Sequence, residues 1–130
     1  MMGSVGLIEP NTEAVAAFWN VARKNVSWAR IEPFLGPPRL ASIQPPAVQL
    51  ANGAEQATQL ALQVAEGELT ELTEEMEDPE LIPAFGDLMI ICDGEGYPRA
   101  LAQTTKVEVD GKKVVETISS IYPKQAKGKK

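Results

Sequence analysis

The stretch that decides the fold is "GDLMIICDGEGYPRALAQTTKVEVDGKKVVETISSI", Gly86 to Ile121. Leu88 to Cys92 is a continuous apolar run bounded by turn residues, the pattern of a strand buried on both faces. "DGEGYP" is a tight turn, because its glycines and proline adopt the backbone angles that turns need. Arg99 to Val109 then alternates. Leu101, Val107 and Val109 fall on one face and Lys106 and Glu108 on the other, the two-residue period of a strand. Asp110-Gly111 is a two-residue hairpin signal. A third strand, about Lys112 to Ile121, completes a meander.

Working back from the strands, the chain reads as helical. Asn52 is placed to cap a helix, and Glu55 stands three residues on, as a capping box requires. Ala57, Leu60, Ala61 and Val64 make its apolar face, and Gly67 supplies its C-terminal stop. Nearer the N-terminus, Asn11 is placed to cap a second helix with Glu13 in its first turn. Val15, Phe18, Trp19, Ala22 and Val26 follow at helical spacing. The expectation is that Phe18 and Trp19 pack in the core against Leu60 and Val64. Between the helices, Glu32 to Pro46 carries five prolines and reads as an extended connection. Helices come first and strands follow, so the fold class is α+β. No internal repeat is seen.

The 130 residues suit one domain with a modest core. The expected division is an N-terminal tail over 1–10, a domain over 11–122 and a basic, solubilising tail over 123–130. With no histidine in the chain, Ser-His-Asp and Cys-His mechanisms are excluded, as is a zinc site of the usual kind. The single cysteine, Cys92, lies in "LMIIC" and reads as a buried small hydrophobe in a reducing compartment. The N-terminus lacks the basic segment of a signal peptide, and no apolar run approaches the ~20 residues of a membrane span. The expected location is cytoplasmic, away from the membrane. No cofactor and no metal is expected, since no Asp-x-Asp-x-Asp-Gly calcium loop occurs.

Charge is unevenly spread. The net charge is −6, yet no Lys or Arg lies between Leu40 and Pro98, while twelve of the eighteen acids do. Such a middle repels phosphate backbones, so nucleic acid is not an expected partner. The acidity peaks in "VAEGELTELTEEMEDPE", Val64 to Glu80, which reads either as a solvated link between helix and strand or as a changed site for a basic or metal-bearing partner.

"AVQLANGAEQATQLALQVAEG" followed by "GDLMIICDGEGYPRALAQTTKVEV" resembles an ASCH domain, of the PUA-like superfamily. The carrying residues are Phe18-Trp19, then Ala57-Thr58-Gln59-Leu60 with Val64 and Gly67 in register. Gly86-Asp87, Gly94, Gly96 and the run Thr104-Thr105-Lys106-Val107-Glu108-Val109 complete the match. The resemblance covers roughly Asn11 to Val109. It implies a PUA-like mixed β-barrel or strongly bent sheet flanked by helices.

The resemblance also implies what is altered. Where the family has a basic segment whose lysine carries catalysis in members that hydrolyse acetylated cytidine, this chain has Gly67-Glu68-Leu69-Thr70-Glu71-Leu72. Leu69 stands at the lysine position, and Thr70 remains. The Glu-Gly element that supplies a pocket glutamate is not found after the Thr-Thr strand. The implied function is a degenerate ASCH-like domain without family-type hydrolysis, serving as a ligand-binding or interaction module with no catalytic residues. A small nucleoside-like ligand is the implied candidate, and Leu69, Thr70, Thr73, Asp87, Thr104 and Thr105 are the candidate pocket residues. The alternative is an amidohydrolase on an acylated nucleoside with a rearranged active site. An uncovered C-terminal strand is expected to invite a homodimer or a protein partner.

Overall fold

The computed structural model describes residues 8–25, 44–78, 80 and 82–122. Val26, positions 32–43 of the proline-rich connection and the tail over 123–130 lie outside the described residues.

Helix α1 (Thr12–Asn25) starts as expected: Asn11 Oδ1 accepts the Ala14 N–H at 2.9 Å, which satisfies one of the amides that a helix start leaves free. Helix α2 (Ala54–Ala65) starts differently from the expected capping box. Its N-cap is Gly53, in extended backbone, and no side chain caps it. Gly67, with φ at 81°, ends the helical turn, and its N–H donates to the Val64 carbonyl.

Five strands follow the order β1-β3-β4-β5-β2 in one sheet. They are β1 (Ala47–Gln49), β2 (Glu71–Glu75), β3 (Leu88–Cys92), β4 (Pro98–Asp110) and β5 (Lys113–Tyr122). The meander β3–β4–β5 is the one the sequence predicts. Asp110 pairs with Lys113, so the turn residues are Gly111 and Lys112, one position beyond the expected pair. Gly111 has φ at 65°, which explains a glycine there.

The two edge strands were not expected. β1 joins β3 in parallel, which makes the sheet mixed. β2 is the acidic link itself: Glu71–Glu75 pairs antiparallel with β5, from Glu71 opposite Thr117 to Glu75 opposite Lys113. The link is therefore a strand, and Leu72 is its one half-buried residue. It also overturns the premise of an uncovered C-terminal strand, because β5 lies between β4 and β2 over its first half.

The helices lie on opposite faces of the sheet, sorted by the two-residue period of the strands. Leu88, Ile90 and Cys92 of β3 and Leu101 of β4 pack with Val15, Trp19 and Ala22 of α1. Ile91, Ala100, Ala102 and Ile118 pack on the other side with Ala61 and Val64 of α2. Alanine on both partners lets α2 sit close against the sheet. Trp19 and Val64 thus belong to different cores, contrary to the expected contact. Phe18 instead meets Tyr122 edge-on, with ring centroids 5.6 Å apart.

The turn between β3 and β4 is held by Asp93, which is 2% exposed. Its Oδ1 accepts the N–H groups of Glu95 and Tyr97, and its Oδ2 accepts Arg99 Nε at 2.8 Å. Burial raises the Asp93 pKa, but those amides and the guanidinium outweigh it and hold the carboxyl below its ordinary range. Gly94 is required here, since a Cβ would overlap the Ala54 backbone at the start of α2. The same turn fastens the chain before α1: Ile8 N–H donates to the Gly94 carbonyl and Asn11 N–H to that of Gly96.

Candidate functional site

A pocket of about 610 Å³ opens between the two edges of the sheet. One wall is Val48, Gln49 and Leu50 of β1 and the chain just after it; the facing wall is Leu72, Thr73 and Glu74 of β2. Five strands laid flat would hold those edges about 19 Å apart, at ~4.8 Å per strand. One pocket touching both requires a strongly bent sheet. The pocket is the seam at which the sheet stops short of closing.

Strand register explains the wall on the β5 side. Leu72 lies opposite Glu116 and Glu74 opposite Val114, so these four side chains share a face. Met89 of β3 and Met76 and Ile82 of the segment between β2 and β3 add apolar surface. Besides the neutral Gln49 and Thr73, the polar lining groups are charged and of one sign. Glu74, Glu80, Asp87 and Glu116 line the space, and among the described residues no Lys or Arg does.

Glu116 is the residue that the sequence reading missed. It is 8% exposed, yet it lines the pocket. The Thr104 hydroxyl donates to its Oε2. Its other oxygen has no hydrogen-bond partner among the described residues. Burial raises the Glu116 pKa; the Thr104 bond works against this, and the charges of Asp87 and Glu74 add to it. A signal was present: Glu116 stands between Val114 and Ile118 on the apolar stripe of the third strand, where a carboxylate is out of place.

The six candidate residues separate. Thr73 and Asp87 line the pocket. Asp87 also closes its own turn, its Oδ2 accepting the Ala84 N–H at 2.9 Å. Thr104 is fully buried behind Glu116. Thr105 is exposed at a bulge in β4, between Thr104 opposite Ile118 and Lys106 opposite Thr117. Thr70 is exposed beside β5, where its carbonyl accepts the Ile118 N–H. Leu69 is half-buried and packs against the core under α2, away from the pocket lining.

Cys92 is buried, and its thiol is pushed up to about 11, first by burial and then by the neighbouring Asp93 charge. Among the described residues no group of three or more His, Cys, Asp or Glu could hold a metal ion. No described helix is long and apolar enough to cross a membrane.

No family model matches the chain, and no curated protein matches it in sequence. Solved structures do. An ASCH domain from Lactobacillus crispatus superposes with a TM-score of 0.65 over 85% of this chain and 95% of that one, at 14% identity. A DUF984 protein from Enterococcus faecalis superposes with a TM-score of 0.61 over 87% of this chain and 92% of that one, at 15% identity. The chain has an ASCH-like fold, of the α+β, PUA-like kind.

Proposed function

We propose that this ASCH-like domain is a binding module that holds a small, nucleoside-sized ligand in the seam pocket without hydrolysing it. The observation that carries the reading is Glu116: a buried carboxylate at a pocket, one oxygen fixed by Thr104 and the other open. Pockets that bind small molecules are largely apolar with a few placed polar groups, and span about 300–1,000 Å³. The seam pocket, at about 610 Å³ with Val48, Leu50, Leu72 and Met89 in its walls, fits that description.

Hydrolysis is disfavoured by the same lining. Amide cleavage builds negative charge on an oxygen, which donors or cations must stabilise. Four carboxylates oppose that charge. Thr104, whose hydroxyl donates to the buried Glu116, is itself fully buried and does not line the pocket. It acts as a positioning residue for Glu116. The acidic rim likewise disfavours a phosphate backbone, so the ligand is a small molecule and not a nucleic acid strand.

Amide-resolved NMR with a panel of nucleosides tests the reading. Binding in the seam shifts amides in 48–50, 72–74, 87–89 and 114–116 together. Shifts confined to the opposite, α1 face of the sheet refute it. Incubation with acetylated cytidine should release no acetate; turnover abolished by Glu116→Gln would instead promote an amidohydrolase.

A further inference from the structure

We infer that the ligand of the seam pocket is a small aromatic cation, of the class formed by nucleosides whose base is methylated to a positively charged form. The inference rests on the reading of the seam as a binding pocket and adds the sign of the ligand's charge. Three observations carry it.

The first is the open oxygen of Glu116. A carboxylate that is more than nine-tenths buried, with one oxygen lacking a hydrogen-bond partner among the described residues and lining a cavity, accepts hydrogen bonds or a charge from whatever fills that cavity. The second is the lining. Glu74 from β2 and Asp87 before β3 act on Glu116 by charge, Glu80 of the intervening segment lines the same pocket, and among the described residues no basic side chain does. A neutral base would leave this negative field uncompensated, and an anion would be repelled. A cation lowers the energy of all four groups at once, most strongly at Glu116, where water screens least.

The third is the apolar remainder. Leu50, Leu72, Met76, Ile82 and Met89 offer surface that a strongly hydrated metal ion or a plain ammonium would waste. A flat heteroaromatic ring with delocalised charge is weakly hydrated. It can lie on methionine and leucine while presenting its positive edge to Glu116.

The test compares each methylated cation with its neutral parent. The full chain is titrated calorimetrically with 3-methylcytidine and cytidine, and with 1-methyladenosine and adenosine, at neutral pH. NMR runs in parallel to locate the binding. The inference expects each cation to bind at least about tenfold more tightly than its parent, a difference of about 1.4 kcal/mol. It also expects Glu116→Gln to abolish that preference while the chain stays folded. A second variant, Glu74→Gln at the exposed rim, should reduce the preference without removing it. Neutral parents that bind equally well, with shifts in the seam, overturn the charge assignment and leave the pocket reading standing. Failure of every nucleoside to shift the seam amides overturns both.

Discussion

The Thr104 hydroxyl donates to Glu116 Oε2 from the neighbouring strand, beside the bulge at Thr105. The two residues are not opposite each other in the ladder: Thr104 pairs with Ile118, and Glu116 with Val107. A carboxylate held in this way on an apolar stripe costs stability, and that cost has a defined pH dependence. Because the folded state holds the Glu116 proton more tightly than the unfolded chain does, the protonated form carries the full stability. That stability is intact below the ordinary glutamate pKa of about 4.3. It is lost as pH rises through the raised folded value. Glu116→Gln should therefore stabilise the fold at neutral pH, on the order of 0.5–2 kcal/mol. The gain should vanish in acid. Urea melts of both chains at the two pH values check this, and a variant that is less stable at neutral pH contradicts it.

Asp93 has the opposite sign. Its folded pKa is depressed, so its contribution is present above the ordinary aspartate value of about 3.9 and is lost as pH falls through the folded one. Asp93→Ala leaves two turn amides and Arg99 without their acceptor and should cost about 1–3 kcal/mol at neutral pH. Arg99→Ala should cost less than about 1 kcal/mol, because the Arg99 side chain is 45% exposed and the pair is partly screened. Equal losses in thermal melts would mean that the ion pair, not the amide bonds, holds the turn.

Trp19 is 5% exposed between α1 and the β3–β4 face. Trp19→Ala should cost about 3–5 kcal/mol. A loss below about 1 kcal/mol in a denaturant melt would place α1 off the sheet.

Much of this fold was legible because its central strands are long and its signals local. Leu88 to Cys92 can be little else than a buried strand, and Asp110-Gly111 marked the hairpin to within one residue. The edges were not legible. β1 has three residues, too few for a period, and β2 is so acidic that its composition reads as solvated link. Only its pairing to β5 makes it a strand. Helical spacing placed Trp19 in a core, but which core depends on the sheet lying between the helices. Of the candidate residues, Thr73 and Asp87 line the seam pocket, whereas Leu69 packs under α2, a placement that depends on the fold and not on local sequence. Glu116 lies outside any Glu-Gly element, and its signal is a carboxylate between Val114 and Ile118 on an apolar stripe.

Cys92 should be inert in the native chain. Its thiol is fully buried and its pKa stands at about 11, so little thiolate exists at neutral pH. Alkylating reagents should label it only in denaturant. Rapid labelling of the folded chain would show that β3 opens readily.

The central claim is that the seam between β1 and β2 is a binding site read by Glu116. The most direct measurement is a crystal structure of the chain grown with the nucleoside that binds best in titration. The account predicts the ligand between the walls of Val48–Leu50 and Leu72–Glu74, with a polar atom within hydrogen-bond distance of the free Glu116 oxygen. A ligand seated elsewhere on the chain, with the seam unoccupied at saturating concentration, would contradict it.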